Sequence, residues 1–224
     1  RMVPLGSTHT SVNKKSLHDR MLNQKAMAII KDDGSVFAWG QEGWGGSIHN
    51  VTEKLQHNVE SIYSNYYAFA AVKTDGSVIT WGSPSSGGDS SLVKDELQSG
   101  VVKIFSNYGP SFAALKEDGS VITWGSQYDG GDSTEVAEDL KSDVKSISST
   151  LYAYAALKED GSVVTWGRNN DQFFHDHEIE YGSNSDIVRE ELESDVIEIF
   201  SNHSSFAALK IDGSVITWGA VYSG

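Results

Sequence analysis

The chain has 224 residues, of which 38% are apolar and 22 are glycine, so it can form one large β-rich domain with many tight turns. Asp and Glu number 31 against 17 Lys and Arg, and the resulting net charge of −14 disfavours binding to nucleic acids and to anionic membranes. The sequence contains no cysteine, which excludes disulfide bonds and thiolate metal sites.

The first residues, RMVPLGSTHTS, lack the apolar core of a signal peptide. The sequence also lacks a run of about 18 apolar residues, so we expect a soluble chain with no membrane span. The cellular compartment stays open, because the chain is either cytosolic or has had a signal peptide removed. A fragment of a longer protein is a further alternative.

Residues 1–25 carry no clear strand and are interpreted as a degenerate N-terminal segment. From residue 26 onward, the closing segment of a unit of about 42 residues occurs five times, which is typical of a repeat fold. Each unit ends with Trp-Gly, and the tryptophans are Trp39, Trp81, Trp124, Trp166 and Trp218. We interpret 26–219 as a single repeat domain, with units ending near residues 40, 82, 125, 167 and 219, and 220–224 as a tail.

Each unit closes with the same predicted hairpin, of which SFAALKEDGSVITWG is one copy. Its turn is Asp-Gly, a pair that tolerates the positive φ angles of tight hairpins. In the strand that follows, Val121 and Ile122 point to opposite faces, so both faces need a packing partner, as stacked blades provide. We therefore interpret the five tryptophans as core residues between blades and not as an aromatic binding cage.

From the second unit onward, a third strand with the pattern Val-x-x-Ile precedes the hairpin and ends in a small polar corner such as Ser64-Asn65. The linker before it carries an apolar pair four residues apart, such as Val93 and Leu97. This spacing predicts short helical turns near 91–97, 134–140 and 186–192. Asp89 or Ser90 is expected to cap the first of these turns. The Gly-Gly-Asp-Ser phrase offers one carboxylate per copy, which is too few for a calcium site.

The fourth linker contains an insertion within DQFFHDHEIEY at 171–181. His175 and His177 are weak candidate metal ligands, since imidazole binds zinc and related metals but no third ligand is specified. We interpret the segment as a solvated acidic loop and assign no metal and no cofactor.

The repeated phrase Val-x-x-Ile, small corner, x-A-A-L-K-x-D-G-x-V-x-x-W-G resembles the regulator of chromosome condensation repeat. In unit length it is similar to the propeller-type β-lactamase inhibitor family. The resemblance covers about residues 26–219 and implies a β-propeller with a binding role. The Gly-Gln-Leu-Gly motif that usually follows Trp-Gly in the chromatin proteins is replaced here by Gly-Gly-Asp-Ser. Nucleotide exchange and nucleosome binding are therefore not carried over.

The expected fold is all-β, a propeller-like array of about five short three-stranded blades with short helical turns in the linkers. We expect the termini to lie close together in a five-unit ring. The family's rings usually have seven blades, so an open arc or a fragment stays an alternative.

The strand directions place the polar corners and the loops after Trp-Gly on one face of the molecule, and the Asp-Gly turns on the other. Variable aromatic residues concentrate on the first of these faces, and aromatics are enriched at interface hot spots. The candidate partner-binding residues are Trp44, Tyr66, Tyr67, Tyr108, Tyr128, Tyr152, Phe173 and Phe174.

The sequence contains none of the common catalytic motifs, such as Gly-x-Ser-x-Gly or His-Glu-x-x-His, and we expect no enzyme. The leading hypothesis is a protein-binding module, acting as an inhibitor, adaptor or assembly subunit, and the acidic charge of the chain favours a basic partner. A carbohydrate-binding propeller is the alternative. The corner residues differ from unit to unit, which favours one asymmetric protein partner over a repeated sugar site.

Overall fold

The computed structural model describes residues 23–168 and 182–220, which form β-strands joined by short 3-10 turns. The strands form five antiparallel sheets, here called blades 1 to 5. Blade 1 contains β1 (Ala26–Ile30) and β2 (Val36–Gly40), and blade 2 contains β3 (Val59–Ser64), β4 (Ala68–Lys73) and β5 (Val78–Gly82). Blade 3 contains β6 (Val101–Ser106), β7 (Ser111–Lys116) and β8 (Val121–Gly125), and blade 4 contains β9 (Val144–Ser149), β10 (Ala153–Lys158) and β11 (Val163–Gly167). Blade 5 contains β12 (Val196–Ser201), β13 (Ser205–Lys210) and β14 (Val215–Gly219). These sheets confirm the predicted all-β, propeller-type fold with about five blades.

Short 3-10 turns lie between the blades. They are Glu42–Trp44, His49–Leu55, Pro84–Ser86, Ser91–Val93, Gln127–Asp129, Thr134–Val136, Asp186–Val188 and Glu190–Leu192. The helical turns expected in the linkers are therefore present. Ser90 is the N-cap residue and makes no side-chain cap hydrogen bond, whereas the preceding Asp89 carboxylate accepts the Ser91 N–H at 2.9 Å. None of the helical segments in the described part of the chain has the length and apolar character needed to cross a membrane.

The Asp-Gly hairpin turns have the expected glycine geometry, with Gly119 at φ +77°. The Asp118 carboxylate accepts hydrogen bonds from the Ser120 N–H at 2.9 Å and from the Ser120 hydroxyl at 2.6 Å. The glycine carbonyl in turn accepts the Val144 N–H at 3.0 Å, at the first residue of the next blade. In blades 1 to 4 the turn thus shapes its own hairpin and also joins two successive blades.

Blades 2 to 4 each pack through two apolar faces. We call the face that packs on the preceding blade the leading face, which in blade 3 carries Phe112, Ala114, Ile122 and Trp124. The face that packs on the following blade is the trailing face, which in blade 3 carries Ala113, Leu115 and Val121. Val121 and Ile122 therefore lie in different clusters, as their alternation predicts.

The repeated tryptophans form the centre of the blade-to-blade core in blades 2 to 5. Trp124 is 4% exposed, stacks on the Phe112 ring at 5.2 Å and donates its indole N–H to the Gly87 carbonyl at 3.0 Å. Trp81, Trp166 and Trp218 have the same environment. The expectation of a core role is wrong for Trp39, which is 40% exposed because no described residue packs on the leading face of blade 1.

The four blade-to-blade clusters join blades 1 and 2, 2 and 3, 3 and 4, and 4 and 5. Within the described ranges, no fifth cluster joins blade 5 back to blade 1. The apolar faces at both ends of the series are exposed. The described residues therefore form an open series of blades, and the expected five-unit ring is not formed between them.

Candidate functional site

The polar corners are held by a buried amide. Asn65 is fully buried, and its Oδ1 accepts the N–H groups of Tyr67 at 2.9 Å and Ala68 at 2.8 Å. Its Nδ2 donates to the Ser86 carbonyl at 2.7 Å, in the loop that follows Trp-Gly. One amide therefore fixes the turn between β3 and β4 and ties it to a neighbouring loop on the same face, which rigidly positions the two residues after it.

Asparagine performs the same task in other blades. Asn107 Nδ2 donates to the Asp129 carbonyl, and Asn23 Nδ2 donates to the Trp44 carbonyl at 2.7 Å. In blade 4 the position is Thr150, whose hydroxyl accepts the Ala153 N–H at 3.2 Å. The constant residue of each corner is thus structural, and the residues that follow it vary from blade to blade.

Four of the candidate aromatic residues form one continuous cluster. The Trp44 ring centroid lies 5.2 Å from Tyr66 and 4.5 Å from Tyr67, and Tyr66 lies 4.8 Å from Tyr67 and 5.1 Å from Tyr108. These residues come from the loop after Trp39 and from the corners of blades 2 and 3. We call Trp44, Tyr66, Tyr67 and Tyr108 the aromatic cluster.

The tyrosines of the cluster are partly shielded from water by one another. Tyr108 is 37% exposed, and its partial desolvation, together with the nearby Tyr66, Tyr152 and Tyr67, raises the pKa of its hydroxyl above the ordinary value. Tyr108 is therefore a neutral phenol at physiological pH and can donate a hydrogen bond to a partner.

Tyr152 extends this surface to blade 4. The Arg168 guanidinium lies 4.0 Å from the centre of the Tyr152 ring, and its Nε donates to the Asp129 carboxylate at 2.8 Å. Asp129 is buried and accepts a second hydrogen bond from the Ser126 hydroxyl at 2.7 Å. Because the Asp129 carboxylate is buried and the Arg168 side chain is partly buried, this ion pair is costly to break, and it holds Arg168 beside the Tyr152 ring.

The other candidate residues have different outcomes. Tyr128 is 50% exposed on the loop after Trp124. Phe173, Phe174, His175 and His177 lie outside the described residues. In the part of the chain that the structure describes, no three His, Asp or Glu side chains are placed to hold a metal ion.

Sequence reasoning missed several polar neighbours of the cluster. The Lys25 ammonium lies 4.4 Å from the centre of the Trp44 ring, and the Tyr66 hydroxyl donates to the Gln24 Oε1 at 3.1 Å. The repeat pattern could have revealed Gln24 and Lys25, because they follow Asn23 as Tyr66 and Tyr67 follow Asn65. The Arg168–Asp129 ion pair joins the loops that follow two successive blades, and no local sequence pattern predicts it.

A second concave feature, also missed, is a cleft of about 610 Å3 lined by β3, β6, β9 and β12 and by the corners of blades 3 to 5. Its lining is mixed, with Lys103 and Glu198 beside Phe105 and Phe200. The Lys103 ammonium lies 4.9 Å from the centre of the Phe105 ring. The corners that carry Tyr108 and His203 border this cleft, so the cleft opens beside the aromatic cluster.

Comparison with known proteins identifies the repeat. Residues 144–172 match the family described as the regulator of chromosome condensation (RCC1) repeat. No curated protein sequence matches the chain significantly.

Solved structures match over most of this chain. Prp20p from Saccharomyces cerevisiae is 15% identical with a TM-score of 0.50, covering 89% of this chain and 56% of its own. Human WBSCR16 is 16% identical with a TM-score of 0.48, covering 88% and 60%. The CRINKLY WD40 ectodomain of the Arabidopsis thaliana receptor kinase ACR4 is 15% identical with a TM-score of 0.48, covering 90% and 64%.

The chain thus spans between half and two thirds of the length of these structures. Sequence identities this low support a similar fold and nothing more. Of the three structures, only Prp20p has a TM-score that reaches 0.50. The family match covers one repeat, at 144–172, and the blades described above have a β-propeller-type fold, as Prp20p does.

Proposed function

We propose that the chain is a non-catalytic protein-binding module that recognises one asymmetric partner through the aromatic cluster, with Tyr152 extending the surface. The observation that carries the proposal is the cluster itself. Four aromatic rings from three chain segments lie within 5.2 Å of a neighbour on one face. Rigid aromatic side chains bury large areas at low entropic cost and are enriched at interface hot spots.

The distribution of the corner residues supports a single partner. After the constant asparagine or threonine, the corners read Gln24-Lys25, Tyr66-Tyr67, Tyr108-Gly109, Leu151-Tyr152 and His203-Ser204. A module that binds several copies of one sugar would repeat its site from blade to blade. Here the constant residue holds the backbone and the pair that follows it changes, which is typical of loops that carry function on a rigid scaffold.

The charge of the chain favours a basic partner. The net charge of −14 attracts cationic proteins at long range and speeds their encounter at low ionic strength. The binding of Prp20p, which has a similar fold, to Gsp1p and histones has been described. Fold similarity does not transfer a partner, so this proposal depends on the surface and not on that likeness.

The test begins with a pull-down using the intact 224-residue chain and identification of the captured protein by mass spectrometry. Tyr67→Ala and Tyr152→Ala should each weaken the purified complex by more than about 1 kcal/mol if both residues are hot spots. Titration calorimetry at fixed salt measures the loss. Far-ultraviolet circular dichroism confirms that the variants fold.

The matched controls lie on the opposite face. Lys116→Ala and Glu117→Ala, beside the Asp118-Gly119 turn, should leave the affinity nearly unchanged. Loss of affinity only in these controls would place the partner on the Asp-Gly face and contradict the proposal. Binding of the chain to a glycan array with no protein partner would favour the carbohydrate-binding alternative.

A further inference from the structure

The leading face of blade 1 is apolar and exposed. Its residues are Met27, Ile29, Phe37 and Trp39, which are 49%, 40%, 52% and 40% exposed. At the equivalent positions of blade 3, Phe112 and Ala114 are fully buried and Trp124 is 4% exposed. Blade 1 thus retains the apolar character of a leading face, although no described residue covers it.

The trailing face of blade 5 is exposed in the same way. Its strands SFAALK and VITWG are identical in sequence to β7 and β8 of blade 3. Val121 of blade 3 is 7% exposed, whereas Val215 of blade 5 is 57% exposed. Because the residues are the same, the difference arises from the neighbour, which blade 3 has and blade 5 lacks among the described residues.

The surroundings of the turn glycines also show that blade 3 has a following blade and that blade 5 lacks one among the described residues. A Cβ built at Gly119 would lie 2.7 Å from the Asp143 backbone nitrogen in the next blade, and the Gly34, Gly76 and Gly161 turns meet the next blade in the same manner. A Cβ built at Gly213 of blade 5 has no atom within 4 Å in the described structure. Blade 5 therefore presents both an apolar face and a turn of the kind that accept a following blade elsewhere in the chain.

We propose that a second copy of this chain fills this position, so that the leading face of blade 1 in one copy packs on the trailing face of blade 5 in another. The contact continues the blade-to-blade interface that the chain already forms four times, with apolar residues on each side. Met27 and Ile29 of blade 1 lie where blades 2 to 5 have an aromatic residue and an alanine. Each copy carries one face of each kind, so the two faces are available in equal numbers. A head-to-tail contact of this type is heterologous and produces a closed ring or an open filament according to its rotation.

The mass of the full chain measured against concentration by sedimentation velocity tests the proposal. The wild-type chain should form species heavier than 24.3 kDa as the concentration rises. Phe37→Glu should abolish them by placing a charge on the leading face, and Val215→Glu should abolish them from the trailing face. Both positions are more than half exposed, so each variant should fold, which circular dichroism checks.

The matched control is Val102→Glu. Val102 is 51% exposed in the β-bulge at the start of β6, outside both packing faces, and Glu60 occupies the same position in blade 2. This variant should associate like the wild type. Loss of association in Val102→Glu as well would assign the effect to added negative charge and would overturn the proposal.

Mixing the two face variants distinguishes a head-to-tail contact from a symmetric one. The Phe37→Glu chain keeps an intact trailing face, and the Val215→Glu chain keeps an intact leading face. An equimolar mixture should therefore form a one-to-one dimer of twice 24.3 kDa that neither variant forms alone. A mixture that stays monomeric, or a wild-type chain that stays at 24.3 kDa at every concentration, would overturn the proposal and assign the covering of these faces to other parts of the chain or to a different protein.

Discussion

The same residue has different roles at different positions of the series, and the tryptophans show this most directly. Trp124 is buried between two blades, with a stacked phenylalanine and a hydrogen-bonded indole. Trp39 ends the same Asp-Gly-Ser-Val-x-x-Trp-Gly pattern, but it is 40% exposed and stacks on Phe37 at 5.7 Å. What a tryptophan contributes to stability therefore depends on the neighbouring blade.

This difference predicts unequal effects of one substitution. Trp124→Ala should lower the free energy of unfolding by about 3–5 kcal/mol, the usual cost of removing a large buried aromatic ring. Trp39→Ala should lower it by about 1 kcal/mol or less, since exposed positions tolerate change. Urea unfolding at low protein concentration, where the chain is monomeric, measures both values. Equal losses would contradict the open series of blades.

At the scale of the element, the Asp-Gly turn is the unit that both ends a hairpin and joins two blades. Its glycine has a positive φ in each blade, and in blades 1 to 4 it lies close to the backbone of the next blade. The turn of blade 5 has the same conformation without that contact. The turn of blade 5 is therefore a control, because comparing it with the other turns separates the effect of glycine conformation from the effect of contact with the next blade.

Alanine substitution at two turns should separate these two roles. Gly119→Ala and Gly213→Ala both place a Cβ at positive φ, which costs about 1–2 kcal/mol. At Gly119 the new Cβ would also lie 2.7 Å from the Asp143 backbone nitrogen, so the loss should exceed that of Gly213→Ala by about 1–3 kcal/mol. Chemical denaturation of the two variants gives the difference. A larger loss for Gly213→Ala would refute the joining role.

The turn aspartates predict how stability changes with pH. The Ser120 hydroxyl, followed by its N–H, lowers the pKa of Asp118 below the ordinary 3.8, and matching serines act on Asp33, Asp75, Asp160 and Asp212. A carboxyl whose pKa is lowered by folding stabilises the folded state above its unfolded pKa, and this contribution is lost as the pH falls through the folded pKa. Stability should therefore decline below about pH 4.

Ser120→Ala isolates one of these interactions. The variant should be less stable than the parent at neutral pH, because the Asp118 carboxylate loses a hydrogen-bond donor. The difference should shrink as the pH falls below 3.8, where the carboxyl becomes protonated. Urea unfolding of both proteins between pH 7 and pH 3 provides the comparison. A difference that is constant with pH would show that the loss is unrelated to the charge of Asp118.

At the scale of the whole molecule, the blades differ in how many neighbours they have. Within the described residues, blade 1 has two strands and packs on one side only, whereas blade 3 has three strands and is packed on both sides. In repeat architectures, stability is close to a sum of unit and nearest-neighbour contributions. The first blade should therefore be the least stable of those that the structure describes.

Hydrogen exchange tests this gradient. Backbone amides of β1 and β2 should exchange faster than those of β7 and β8 under native conditions, since local opening is easiest where fewest contacts are broken. Mass spectrometry of peptides from 26–40 and 111–125 measures both rates in one experiment. Uniform protection at low protein concentration would indicate that blade 1 is covered on its leading face.

Much of the fold follows from patterns that lie within about 15 residues of one another. The Asp-Gly turns, the alternation of Val121 and Ile122, and the capped linkers were all predictable because turn and strand preferences are local. The place of the aromatic residues on the corner face followed from strand direction alone. How Trp44 contacts Tyr66 and Tyr67 did not, because this contact depends on the path of the loop after Trp39.

The sequence by itself determined the repeat, the hairpins, the propeller-type fold and the face on which the variable aromatics lie. Only the tertiary structure decided which copies of the repeat are buried, how Arg168 and Asp129 support Tyr152, and that blades 1 and 5 present their apolar faces. The physical reason is that identical strands have identical local preferences, whereas burial depends on the neighbour that packs against them. Val121 and Val215 lie in identical strands and differ only in that neighbour.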